Sequence, residues 1–414
     1  MATDERSAPT TGVTIDDLYA ARERIAEDIR HTPMLRKPTL DGCVDGQPVF
    51  IKCEHLQRTG SFKLRGALNL IGQLTPEERA SGVVAASAGN HAQGVAVAAA
   101  ENDVEATIFM PQDASLAKVE ATRNYGAHVV LEGANLTRTL EAAHAFATKR
   151  GAVFVHPFDD DRIIAGQGTL GLEVVEQLPD VATVVVPVGG GGLAAGVAVA
   201  VRALRPDCRI VAVQAAAFPS LRLSLEAGEP TVVPAVPTIA DGIAVKQIGG
   251  RNFDILRACV DEVVEVTEEE LSTAILWSME RAKQVLEGAG AAALAAVLAG
   301  KVQSDGPVAL VVAGGNIDPA NLVPVIRHGL TAVGRFLYLG TVIPDRPGEL
   351  SRLLGLLADV RVNVLGVEHH REGVHLRIGE TRVDLTLQTR NAEHVAEVEA
   401  ALAEAGYPVL REHH

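Results

Sequence analysis

Short apolar runs alternating with small-residue helical segments constrain this chain more than any other feature. "QPVFIKCE" (47–54), "GVVAAS" (82–87), "EATIFM" (105–110), "AHVVLEG" (127–133) and "AVFVHP" (152–157) all have strand length, as do "ATVVVPV" (182–188), "RIVAVQ" (209–214) and "PVALVVAGGN" (307–316). Between them lie segments with helical spacing: residues 62–74, 90–102, 115–126, 136–150, 167–178 and the run after "GGGG" at 189–192. Residues 14–29 open on Thr14 as a capped helix, and 267–286 reads as one long amphipathic helix with an acidic first turn. Near-continuous apolar strands are buried on both faces, and a strict β–α order covers them with helices. The expected class is therefore α/β with parallel or mixed sheets.

The pattern changes after residue 332. "RFLYLGTVIPDRPGELSRLLGLLADVRVNVLGVEHH" reads strand, turn, helix, strand; an alternating strand, a helix (392–406) and a last short strand "YPVLR" (407–411) follow. The order βαββαβ is that of a ferredoxin-like module. A boundary near Ala332–Gly334 is expected.

Composition narrows the function. Only 3% of the 414 residues are aromatic, which suits small-residue helices on parallel strands. The net charge of −15, with no basic block, disfavours nucleic acid as a partner. Cys43, Cys53, Cys208 and Cys259 form no CxxC, so neither a disulfide framework nor a zinc knuckle is expected. No HExxH occurs, and His369, His370 and His375 lack accompanying metal ligands; no metal is expected. The N-terminus has no secretory apolar region, and no apolar run reaches membrane length. A cytoplasmic protein without a membrane partner is expected.

Three stretches carry chemistry. "VVVPVGGGGLAAG" runs from an apolar strand through Gly189–Gly192 into a helix, so backbone N–H groups freed of side chains can cradle a phosphate. Gly189, Gly191 and Ala194 also fit a GxGxxA dinucleotide pattern, but the next strand ends in Gln214 where that site needs an acid. "SAGNHAQG" (87–94) opens a helix and offers N–H groups suited to a carboxylate. Lys63 stands between Phe62 and Leu64, where desolvation would lower its pKa and make the amine a nucleophile. Phosphate cradle, carboxylate seat and amine together suggest a Schiff-base enzyme acting on an amino acid.

These stretches are similar to those of the pyridoxal-phosphate-dependent threonine (serine) dehydratases of fold type II. "HPFDDDRIIAGQGTLGLEV" (156–174), "IADGIAV" (239–245), "EGAGAAALAA" (287–296) and "AGGNID" (313–318) extend the resemblance over about residues 14–330. "VIPDRPGEL" (342–350) with "VNVLGVEHHR" resembles an ACT domain, an amino-acid-sensing module. The resemblance implies a large catalytic domain (1–71 and 159–330), a small subdomain (72–158) and an ACT regulatory domain (333–414). It implies pyridoxal 5'-phosphate as cofactor. Lys63 would be its covalent anchor and the base for the Cα proton, and Phe62 would pack against its ring. Gly189, Gly190, Gly191, Gly192 and the N–H of Leu193 would hold its phosphate. Asn90 would bond the ring's phenolic oxygen; Gly242, Glu287 and Ala313 would lie near the ring. Ser87, Ala88, Gly89, Asn90 and His91 would seat the substrate carboxylate. Asp345, Pro347, Gly348 and Asn363 are the candidates for an amino-acid effector.

The implied reaction is β-elimination of L-threonine, and of L-serine, to 2-oxobutanoate or pyruvate and ammonia. A place in isoleucine biosynthesis, feedback through the ACT module and a homodimer or homotetramer follow as expectations. Two residues separate the chain from related racemases: Ala88 replaces their second serine, and Gln214 replaces their metal-binding carboxylate. Ala313 replaces the serine that bonds the pyridine nitrogen in most of the family. The alternatives are an L-serine dehydratase or weak serine racemase, and an inactive amino-acid-binding sensor.

Overall fold

The computed structural model describes residues 12–371 and 376–410. Its internal contacts divide the chain at 319/320, at the start of helix Pro319–Ala332. The boundary expected near 332–334 marks where the next strand begins. The helix before it carries no pattern that assigns it to either side.

In the first unit the strands are β1 (Met34–Arg36), β2 (Val49–Cys53), β3 (Val83–Ala86), β4 (Ala106–Met110), β5 (His128–Leu131), β6 (Val153–Phe154), β7 (Thr183–Pro187), β8 (Arg209–Ala215), β9 (Glu262–Val266) and β10 (Val308–Val312). They form two sheets. The larger has the order β1-β2-β10-β7-β8-β9 and is parallel except for the antiparallel edge strand β1. The smaller, β5-β4-β3-β6, is parallel throughout. Every residue of β7 and β10 is buried, as expected of strands covered on both faces. Two of these strands escape the alternation rule: β1 is only three residues long, and β9 is acidic and half-buried.

Helix Lys63–Ile71 positions the later chemistry. It buries Leu64, Ala67, Leu68, Leu70 and Ile71 in the core of the smaller sheet. It also crosses helix Asp161–Gln177 so closely that a Cβ on Gly166 would lie 2.6 Å from the Arg65 carbonyl. Only glycine permits that approach. A buried ion cluster locks the same junction. Arg65 Nε and Nη2 donate to the two Glu54 carboxylate oxygens at 2.6 and 3.0 Å, and Nη1 donates to Glu173 Oε1 at 2.6 Å. Lys52 Nζ donates to Glu173 Oε2 at 2.5 Å, to the Thr32 carbonyl at 2.7 Å and to Gln177 Oε1 at 2.9 Å. Two cations thus meet two anions with nearly all donors used, the condition under which a buried charge is tolerated.

The segment expected as one helix over 267–286 is shorter. An α-helix, Glu268–Trp277, starts from a Thr267–Glu270 capping box and passes into a π turn, Ser278–Ala282. Ser278 Oγ donates toward the Ile275 and Gln284 carbonyls, and Lys283 takes a left-handed φ of 59°. Side-chain bonding to the backbone ends the helix where spacing alone would extend it.

In the second unit, β11 (Phe336–Pro344), β12 (Asn363–His370) and β13 (Glu380–Gln388) form an antiparallel sheet in the order β11-β13-β12. Helices Glu349–Asp359 and Ala392–Glu404 contribute Leu353, Leu357, Val398 and Leu402 to a core with Leu339, Val383 and Leu385. The α/β pair of sheets and the ferredoxin-like order are as expected, with one correction. The final strand "YPVLR" reduces, among the described residues, to a single bridge between Leu410 and Gly340. His369 and His370 are exposed on β12, and His375 lies outside the described residues. Among the described residues no helix is long and apolar enough to cross a membrane. The four cysteines are free; burial pushes the thiols of Cys53, Cys208 and Cys259 up to about 11.

Candidate active site

A cavity of about 370 Å³ in the first unit is lined by Phe62, Lys63, Ser87–His91, Gly189–Leu193, Gly242, Glu287 and Ala313. All the residues expected at the cofactor and substrate positions therefore share one cavity. The strands and loops that carry them are up to about 250 residues apart in sequence.

Lys63 is the first residue of its helix, with Phe62 at the cap. Its Nζ donates to the Pro157 carbonyl at 2.8 Å and lies 5.1 Å from the Phe62 ring centroid. No carboxylate is within ion-pair distance of this Nζ among the described groups. Burial holds the ammonium down to about 8, with Glu287 pulling weakly the other way. A substantial fraction of free amine at mildly alkaline pH follows.

The glycine run builds a cradle. Gly191 has φ +97° and caps helix Gly192–Leu204. A Cβ on Gly190 would strike the Phe158 ring at 2.3 Å, and one on Gly192 would meet the Phe158 carbonyl at 2.8 Å. Asn252 Nδ2 ties down the Gly190 carbonyl at 2.8 Å and the Phe158 carbonyl at 3.1 Å. The first-turn N–H groups of this helix have no intrahelical acceptors and border the cavity. Free helix-terminal N–H groups, a dipole favouring an anion, and an amine lining the same cavity fit a phosphate-bearing carbonyl cofactor.

The 87–91 loop lines the same cavity. Gly89 N donates to Ser87 Oγ at 3.1 Å and caps helix Asn90–Glu101. The His91 ring is turned to structure: Nε2 donates to the Val155 carbonyl at 2.9 Å, and burial with nearby Lys63 holds the imidazole down to about 3. His91 is thus neutral, and its backbone rather than its ring is suited to meet a carboxylate. Asn90 Nδ2 donates to Glu287 Oε1 at 2.7 Å. Burial first, then Asp241, raises the Glu287 carboxyl to about 7. Gly242 adjoins it; a Cβ there would meet Ala289 at 2.9 Å. At the far wall the Ala313 carbonyl accepts from Phe62 N at 3.2 Å, and its methyl offers no hydrogen bond.

Gln214, at the end of β8, is fully buried. Its Oε1 accepts from Leu221 N and Arg222 N at 3.0 and 3.1 Å, so the amide caps helix Ser220–Ala227. Sequence reasoning singled out none of Asn252, Pro157, Phe158, Lys118, Asp241 and Asn316. Pro157, Phe158, Asp241 and Asn316 lie inside the quoted stretches 156–174, 239–245 and 313–318; Asn252 and Lys118 act through contacts that no local pattern shows.

The effector candidates fall in two places. Asp345, Pro347 and Gly348 form the exposed turn after β11, where Asp345 Oδ1 accepts from Arg371 Nε at 3.3 Å. Asn363 is registered against Gln388, itself opposite Phe336, at the other end of the sheet. At the strand rise this is roughly 25–30 Å from the turn, so the four do not form one site within the chain.

Comparison with known proteins places this geometry in a class. Residues 25–314 match the model of the pyridoxal-phosphate dependent enzymes, and residues 338–404 match that of the ACT domain. The chain belongs to the pyridoxal-phosphate dependent enzyme family and carries an ACT domain. It is 48% identical over 398 residues to an L-threonine ammonia-lyase of Thermotoga maritima, covering 96% of this chain and 99% of the relative. Among solved structures it is similar to a T.th. threonine deaminase, with a TM-score of 0.70 and 43% identity over 74% of this chain and 99% of that one. Maize serine racemase follows at a TM-score of 0.72 and 35% identity, over 78% and 99%.

Proposed function

We propose that the chain is an L-threonine ammonia-lyase that also accepts L-serine. The observation that carries this reading is Lys63. It is a desolvated amine with no carboxylate at ion-pair distance among the described residues, in the same cavity as a glycine cradle and a helix N-terminus. When bound, pyridoxal phosphate supplies a carbonyl for amine exchange and an electron sink for the Cα–H bond. Gly189–Leu193 hold the phosphate by backbone N–H groups. The first-turn N–H groups of Asn90 and His91, with the Ser87 hydroxyl that Gly89 N holds in place, would orient the substrate carboxylate. Lys63 would hold the cofactor covalently, and its free Nζ would be the base that takes the Cα proton. Loss of the β-hydroxyl as water, and hydrolysis of the released enamine, give 2-oxobutanoate and ammonia. Ala88 carries no acid or base on the other side of the loop, which favours elimination over racemisation.

Residues 1–71 with 159–330 and residues 72–158 act as the two catalytic subdomains. Residues 333–414 bind an amino-acid effector, in a cytoplasmic homodimer or homotetramer serving isoleucine biosynthesis. Release of 2-oxo acid from threonine and serine, repeated with isoleucine and valine, tests the reading. Lys63→Ala is expected to lose borohydride-trappable cofactor and at least about a thousandfold of the activity. Equal turnover by Lys63→Ala, or racemisation of serine faster than elimination, overturns it.

A further inference from the structure

Asn90 is held at both ends of its amide. Its Oδ1 accepts from Asn316 Nδ2 at 2.8 Å, while its Nδ2 donates to Glu287 Oε1 at 2.7 Å. Asn316 is itself fixed, because the same Nδ2 donates to the Thr59 carbonyl at 2.7 Å, and a carbonyl accepts only from a donor. Turning Asn90 over would set two amide nitrogens against each other and, when Glu287 is ionised, its oxygen against that carboxylate. One orientation therefore survives. In it the Asn90 amide has two N–H groups and has used one.

Two glycines leave room for the anchors. A Cβ on Gly60 would lie 2.3 Å from Asn316 Oδ1. A Cβ on Gly314 would lie 2.1 Å from Glu287 Oε1 and 3.3 Å from Asn90 Nδ2. Glu287 N also donates to the Gly314 carbonyl at 3.3 Å, so its backbone holds the 314 loop while its carboxyl holds Asn90. Segments around residues 60, 90, 287 and 316 converge on one amide at the cavity wall.

We propose that Glu287 and Asn316 are positioning residues that fix the Asn90 amide so that its second N–H faces the cofactor ring. The inference rests on the cofactor reading above. Neither residue needs to touch substrate. Each acts by denying Asn90 its other orientation, in which an oxygen would confront the ring's phenolic oxygen.

The test uses the purified holoenzyme and the absorption band of its covalently held cofactor. Cofactor affinity is measured by titrating pyridoxal phosphate back into stripped protein, and melting of the stripped forms is recorded alongside. Glu287→Ala and Asn316→Ala are each expected to weaken cofactor binding about tenfold, the worth of one hydrogen bond to a charged group, and to shift the band. Glu287→Gln keeps an acceptor for Asn90 and stays within about twofold of the parent. Gly314→Ala pushes the Glu287 carboxyl off Asn90 and reproduces Glu287→Ala with the acid still present; Asn316→Ser replaces any Asn316→Ala protein that does not fold. Wild-type affinity and an unshifted band in Glu287→Ala and Asn316→Ala overturn the inference. So does Glu287→Gln behaving like Glu287→Ala, which would make the charge, not the acceptor, the active feature. A parent protein that takes up no borohydride-trappable cofactor sinks the cofactor reading as well, whereas cofactor uptake with insensitive variants sinks this inference alone.

Discussion

Arg65 and Lys63 stand two residues apart on one helix, and both are withdrawn from bulk solvent, yet they meet opposite surroundings. Arg65 is fully buried and bridges Glu54 and Glu173, which hold its guanidinium charged more firmly than in water. Lys63 finds one carbonyl and an aromatic face. Burial therefore costs the helix little at Arg65 and a good deal at Lys63. The difference shows how a single turn of helix serves two ends. The paired cation secures the scaffold; the unpaired one stays a reactive amine because the scaffold, not a counter-ion, holds it in place.

The comparison breaks first at Arg65. Arg65→Met would leave Glu54 and Glu173 with Lys52 as their sole buried cation, and a loss of about 3–5 kcal/mol in urea unfolding is expected. An effect under about 1 kcal/mol would show that the cluster is not tightly paired.

Lys63→Met should move stability the other way in the cofactor-free protein. The folded pKa of about 8 lies below the unfolded 10.5, so the unfolded chain holds the proton more tightly. The cost of burying the ammonium is complete below pH 8 and is relieved as pH rises toward 10.5. Lys63→Met is thus expected to gain up to about 3 kcal/mol at pH 7, with the gain vanishing near pH 10.5. A gain independent of pH would assign it to packing instead.

The smallest effect is on the acid side. Glu173 is lowered from 4.5 by Arg65 and Lys52 against the effect of its own burial. Its contribution is complete above 4.5 and is lost as pH falls through the lowered folded value. As pH falls below 4.5 the parent should lose stability more steeply than Arg65→Met does. Parallel acid slopes would detach Glu173 from Arg65.

The sites legible in the sequence were those written in consecutive residues. Gly189–Gly192 and Lys63 announce themselves because an anion cradle and a capped amine each need only a few neighbours. Asn90 was legible as a position but not as an oriented amide, since its orientation is decided by Glu287 and Asn316, some two hundred residues away. Nothing local marks Arg65 as a buried ion-pair member, because its partner Glu173 is 108 residues distant. His91 shows the converse: it lines the cavity, while its ring is held by the Val155 carbonyl.

The order of the larger sheet has a consequence for the chain as it is made. β10 is the last of its strands in sequence, yet it lies in the interior, paired to β2 on one side and β7 on the other. Until residue 312 has left the ribosome, those two neighbours have no strand between them, and each presents an open edge. The loop that follows β10 carries Ala313 and Asn316 to the cavity. A nascent chain therefore already contains Lys63 and the glycine cradle but lacks the wall that completes their chamber. Assembly of the chemistry waits on the same late insertion that closes the sheet.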